Sequence, residues 1–111
     1  MLWYQVKFDS EKIYIIISHK DSKPTKAELF WKNIIRICYV PMSFIGPDEI
    51  YIFTNQREES YLIPSEALGA SALWGEIVDR GLYDAEKAIK VMSGKETQLY
   101  CWPSAENEPE L

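Results

Sequence analysis

"DEIYIFTNQREESYLIPSEA", residues 48–67, is the stretch on which the fold turns. Two apolar runs flank a charged loop, and Pro64, Ser65 and Glu66 then open a helical pattern. Glu49 to Thr54 and Ser60 to Ile63 read as two antiparallel strands, because β-branched and aromatic residues cluster on each side of a polar break. "TNQREES" between them reads as a turn: Asn55 suits it, and charges at a hairpin tip keep an edge strand from pairing with other chains. Both faces of the first strand are apolar, Ile50 and Ile52 opposite Tyr51 and Phe53. A second layer must therefore cover it.

A helix follows at once. Ala70, Leu73, Trp74 and Ile77 recur at the spacing of one helical face, and Gly81 stands where a left-handed C′ residue belongs. Gly75 within that helix costs about 1 kcal/mol relative to alanine, which predicts close approach of the sheet beside Trp74. Asp84 is the expected N-cap of a second helix whose apolar face is Ala85, Ala88, Ile89 and Met92, with Gly94 after its end. "TQLYCW", residues 97–102, reads as a final strand.

Upstream, Leu2, Tyr4, Val6 and Phe8 share one face and Trp3, Gln5 and Lys7 the other. With the turn residues "DSE" and the run "KIYIIIS", residues 2–18 read as a hairpin. "HKDSKPTK" reads as a polar break. Ala27 to Phe30 is open between strand and helix, whereas Ile34 to Val40 favours strand, with Ile35, Ile37 and Tyr39 opposite Ile34, Arg36 and Cys38. "PMSFIGPD" is a loop. The order is four or five consecutive strands, two helices and a last strand. That order implies an α+β domain with a curved antiparallel sheet over residues 1–103, followed by an acidic, flexible tail at 104–111.

Length and composition bound the function. A chain of 111 residues with 47% hydrophobic content suits one domain with a real core. A net charge of −5 argues against nucleic acid and against anionic membrane surfaces as partners. The most apolar run, Ile13 to Ile17, is far shorter than the ~20 residues of a spanning helix, and the alternating N-terminus predicts no secretory signal. Cys38 and Cys101 are expected as buried free thiols in a reducing cytoplasm, with a disulfide as the alternative.

Motifs for chemistry are few. One histidine and two distant cysteines give no metal-ligand spacing, so no metal or cofactor is expected. His19 reads as a solvated strand end, and Cys101, flanked by Tyr100 and Trp102, as a packed thiol rather than a nucleophile. "SGKET" fails the phosphate-loop pattern, since Ile89 stands where the first glycine is needed and Glu96 where Ser or Thr is. The carboxylate pairs Asp48/Glu49 and Glu58/Glu59 lie at strand ends and point apart or into water. Lys20, Lys23 and Lys26, with only Asp21 against them, read as solvating charge or a weak contact for an acidic partner.

The pattern from Trp31 onward resembles the back half of small bacterial pleckstrin-homology-like domains. In those, a "W-x-x-I-x-x-I" strand precedes a hairpin ending in "I-P", and a helix plugs the open end of a curved sheet. The matching residues are Trp31, Ile34, Ile37, Ile52, Tyr61, Ile63 and Pro64, within a resemblance over residues 12–80. It implies a PH-like barrel or half-barrel. The family's core has seven strands before the helix, more than are read here, so the strand at 97–102 would have to complete the sheet. Lipid-binding members carry a basic pattern at the first hairpin. Here Tyr14 stands in place of its last arginine beyond Lys7 and Lys12, and Asp9 and Glu11 repel phosphate. The resemblance therefore implies a fold and argues against phosphoinositide binding.

One surplus remains, four tryptophans and seven tyrosines. Trp3 lies opposite Leu2, Tyr4 and Val6, so a helix is expected to cover it; failing that, it forms an association surface. The sequence thus points to a non-enzymatic protein-interaction domain of a bacterial cytoplasm, acting on a protein partner or as a homodimer. A toxin-neutralising immunity protein is one specific form, suggested by small size and acidity. Trp3, Arg57, Glu58, Glu59 and Trp102 are the candidate contact residues. The rival is a small-molecule or peptide binder with a pocket lined by Trp and Tyr.

Overall fold

The computed structural model describes residues 3–42, 46–93 and 98–103, apart from the side chain of Met92. Seven strands, one 3-10 turn and two helices follow in the order β1 (Tyr4–Phe8), β2 (Lys12–His19), β3 (Ser22–Phe30), the turn Trp31–Asn33, β4 (Ile34–Val40), β5 (Glu49–Thr54), β6 (Tyr61–Pro64), α1 (Ala70–Asp79), α2 (Ala85–Met92) and β7 (Tyr100–Trp102). They form two antiparallel sheets, ordered β1-β2-β3 and β6-β5-β4-β7, which do not close into a barrel. The chain is thus α+β, with a final C-terminal strand completing the second sheet.

Local chemistry explains most boundaries. Asp9 makes the β1–β2 turn: its Oδ1 accepts from the amides of Glu11 and Lys12, both at 2.8 Å, and its Oδ2 from the Tyr14 hydroxyl at 2.7 Å. These bonds hold the Asp9 carboxyl below its ordinary pKa, the Tyr14 hydroxyl first among them. The hairpin pairs Ile50 with Ile63 and Ile52 with Tyr61, with residues 55–60 as its loop; Pro64 ends its second strand, and the helix expected to open there begins at Ala70. Asp84 caps α2 by accepting from the Lys87 amide at 3.0 Å.

Several expectations need correction. "HKDSKPTK" is largely strand: β3 begins at Ser22, the break shrinks to a turn at Lys20 and Asp21, and Ala27 to Phe30 is strand. Cross-strand pairing with β2 overrides the weak β-propensity of Lys and Pro, and Pro24 is tolerated because β3 is an edge strand. Six strands, not four or five, therefore precede the helices. In β4 the expected alternation fails at a register shift between Ile34 and Arg36, which throws Ile35 outward at 55% exposure while Ile37, Cys38 and Tyr39 are all buried. On α2 the buried residues are Ala88 and Val91, and Ile89 is 70% exposed, because the helix is turned about one residue from the expected face. The last strand is shorter than expected; Thr97, Gly94 and the tail at 104–111 lie outside the described residues.

The cysteines are not free. Cys38 and Cys101 are directly opposed in the β4–β7 register and form a disulfide, with both residues buried. The inference from reduced thiols to a reducing compartment therefore falls away. No helix among the described residues is long and apolar enough to cross a membrane.

The core lies between the two sheets and under α1. Val6, Ile13, Ile15, Leu29, Ile37, Ile50, Ile52, Ile63, Leu73 and Ile77 are all buried in it. One glycine is obligatory. Gly69 precedes α1 at φ +89°, and a Cβ there would run into the carbonyl of Val6. That approach lets Leu68 pair with β1: the Val6 amide donates to Leu68 at 2.8 Å and the Leu68 amide to Tyr4 at 2.9 Å. Gly75 is different. A Cβ there would meet nothing within 4 Å, so the sheet does not approach it and its expected role fails.

Candidate functional site

The two sheets part at the far end of the β2–β3 hairpin. Along β2, Ile13 and Ile15 are buried, Ile17 is half-buried and His19 is exposed; along β3, Leu29 is buried, Ala27 half-buried and Thr25 exposed. The inner face of the first sheet thus outruns its cover, because β6 opposite it has only four residues. The result is a cleft of about 340 Å³ lined by Tyr4, Ile15, Ile17, Thr25, Ala27, Arg57, Tyr61 and Leu62.

Two tyrosines shape it. The Tyr4 hydroxyl donates to the carbonyl of Leu62, tying β1 to β6 across the core, and burial pushes its pKa up to about 12. It is therefore a neutral hydrogen-bond donor at any ordinary pH. Tyr61 lies under the Arg57 guanidinium, whose Cζ is 3.7 Å from the ring centroid. Arg57 Nε donates to the Glu59 carbonyl at 2.9 Å and Nη2 to the Ser60 carbonyl at 3.0 Å. Long side chains on loops usually carry full rotamer freedom; this one is held over the cleft by its own turn. Arg57 is the only charged residue in the lining. Beyond Thr25 the β2–β3 register shifts, and exposed Lys23 stands in that irregular end of β3, outside the cleft lining.

The expected contact residues fall into two groups. Trp3 is 54% exposed and meets Tyr4 edge-on at 6.0 Å, so no helix covers it; α1 lies instead across β1 and β4, where Trp74 meets Tyr39. Leu62 and Leu68, also exposed, join Tyr4 through the hydroxyl bond and the backbone bridge. Arg57 shares this region, and Glu58 and Glu59 are exposed in its loop. Trp102 is elsewhere: it pairs with Ile37 on β7 and lines a separate groove with Ile35, Arg36 and Leu82. His19 is exposed with Nε2 2.7 Å from Thr25 Oγ1.

A second groove, of about 670 Å³, was not foreseen from the sequence. It is lined by Ser10, Glu11, Phe30, Trp31, Lys32, Arg80 and Leu82, where the β1–β2 turn, the 3-10 turn and the end of α1 meet. Trp31 anchors it. Its amide donates to the Glu11 carbonyl at 3.0 Å, and its indole N–H to the Asp9 carbonyl at 2.9 Å. Arg80 lies on the indole at 4.0 Å, and its Nε donates to Glu76 Oε2 at 2.7 Å. The ammonium groups of Lys12 and Lys32 stand 4.9 and 5.4 Å from the Phe30 ring centroid. The available signal was the local run "FWK", residues 30–32; the arrival of Arg80 from α1 left no trace in the sequence.

Among the described residues, no group of three or more His, Cys, Asp or Glu side chains is placed to hold a metal ion. No family model, curated protein or solved structure matches this chain, so the likeness to PH-like domains rests on its residue pattern alone.

Proposed function

We propose that this chain is a non-enzymatic protein-interaction module that receives an extended, acidic segment of a partner in the cleft between β3 and β6. The observation that carries the proposal is the uncovered inner face at Ile17, Thr25 and Ala27, beside exposed Trp3 and Leu62. An apolar cleft with a few fixed polar groups is the ordinary form of a recognition site, and aromatic and arginine side chains supply most of the energy at such contacts. Charge selects the partner. Arg57 is the charged group of the cleft lining and is held in place by its own turn, so a segment that brings a carboxylate to Arg57 fits here.

A displayed library of random short peptides tests this. Enriched sequences should pair an apolar anchor with Asp or Glu. Their binding should be lost on Ala27→Trp, which fills the cleft, and weakened about tenfold or more by Arg57→Gln, the worth of one charge-assisted contact. Circular dichroism checks that both variants fold. An absence of enrichment, or peptides that bind Ala27→Trp as well as the parent, sinks the proposal. Self-association abolished by Ala27→Trp would make a second copy of the chain the occupant instead.

A further inference from the structure

The Trp31 groove is independent of that cleft, and its charges have an unusual balance. Six charged residues stand in or beside it: Lys12, Lys32, Arg80, Glu11, Glu28 and Glu76. Lys12 pairs with Glu28 at 3.0 Å and Arg80 with Glu76 at 2.7 Å. Lys32 and Glu11 line the groove, and neither takes an ion-pair partner among the described residues. They are held near each other: the Glu11 carbonyl accepts from the Trp31 amide, so residue 11 stands across from residue 31, and Lys32 follows it. The Phe30 ring, 37% exposed, and Leu82 line the same groove.

We infer that this groove binds a free α-amino acid with a large apolar side chain. Its carboxylate meets Lys32, its ammonium meets Glu11, and its side chain lies on Phe30 and Leu82. A volume of about 670 Å³ is within the range of small-molecule sites. The charge argument sets the class. A monoanion would satisfy Lys32 and face the like charge of Glu11; a monocation would do the reverse. A ligand carrying both charges is the one that offends neither. Arg80, flattened on Trp31 and tethered to Glu76, forms the rigid floor on which the ligand is selected.

The test is an amide-shift titration of the whole chain with L-phenylalanine, L-leucine, 3-phenylpropanoate and phenethylamine. The two amino acids should give saturable shifts at millimolar concentration, confined to residues 10–12, 30–32 and 80–82. Each singly charged analogue should bind about tenfold more weakly, since each lacks one charge-assisted contact. Lys32→Gln should bring L-phenylalanine down to phenethylamine, and Glu11→Gln should bring it down to 3-phenylpropanoate. Both positions are exposed, so neither substitution threatens the fold. No saturation, equal binding of a singly charged analogue, or shifts centred on the β3–β6 cleft would overturn the inference. Peptide binding at Ala27 is read separately, by the Ala27→Trp variant.

Discussion

Two seams join the same pair of sheets, and they are finished in opposite ways. On one side, α1 is laid across β1 and β4, Leu68 is stitched to β1 by two backbone hydrogen bonds, and Gly69 lets the chain come close enough for both. Aromatic rings continue the closure, Tyr39 to Trp74, Trp74 to Tyr83 and Tyr83 to Tyr100, at centroid separations of 5.0, 4.8 and 5.9 Å. On the other side no element among the described residues is laid across β3 and β6; the Tyr4 hydroxyl bridges toward the Leu62 carbonyl. The closed seam spends its aromatic residues on cohesion, while the open seam leaves Trp3, Tyr61 and Leu62 available for contact. Stability and recognition are therefore separated in space, and each can be changed with little effect on the other.

The harshest way to break that separation is to reduce the disulfide, which locks β7 to the closed side. Its two cysteines are 63 residues apart, and a crosslink of that span stabilises by about 4 kcal/mol in the chain-entropy model. Urea unfolding with and without a phosphine reductant should show a loss of that order. An unchanged midpoint would mean that strand pairing and the aromatic chain hold β7 unaided. Next, truncation along β2 should trace the passage from closed to open. Ile13→Ala should cost about 3–4 kcal/mol and Ile17→Ala about 1. Equal costs, measured by the same unfolding experiment, would show that the open end is packed after all.

The two glycines of the α1 region sharpen the contrast with opposite signs. Gly69→Ala should destabilise by about 2–3 kcal/mol, since the new methyl meets the Val6 carbonyl in a left-handed backbone. Gly75→Ala, with open space around it, should stabilise by about 1 kcal/mol through helix propensity. The smallest effect concerns pH. Asp9 has its pKa lowered on folding, by the Tyr14 hydroxyl first and then by two backbone amides. Its contribution is therefore present above the ordinary carboxylate pKa of about 3.9 and lost as pH falls through the lower folded value. Asp9→Asn should be less stable than the parent at neutral pH, and that difference should disappear in acid. A difference that persists in acid would assign it to geometry rather than charge.

What could be read from the sequence was whatever short-range periodicity encodes. The 48–67 hairpin, the α1 face through Leu73, Trp74 and Ile77, the cap at Asp84 and the left-handed Gly81 all follow from residues within one turn or one strand of each other. Position in the sheet is not so encoded. β3 was hidden because lysine and proline mark an edge strand and a loop alike, and Ile35 because one extra residue in β4 flips its face. The disulfide and the Trp31–Arg80 stack join residues dozens of positions apart, and only the tertiary fold brings them together. Of the candidate residues, Arg57 lines the β3–β6 cleft, Trp3 touches that lining through Tyr4, and Trp102 lies on another surface.

The Cys38–Cys101 bond also fixes the covalent topology of the molecule. It makes a ring that contains the proposed peptide cleft's β6, both helices and every connection between β4 and β7. A protease that cuts once anywhere inside that ring yields two chains still held through sulfur. Such a nicked molecule would migrate as one species until a reductant is added, and it would keep the geometry of both seams. Cleavage between β2 and β3, outside the ring, would instead leave β1 and β2 with no covalent link to the rest, while β3 stays joined to the stapled sheet.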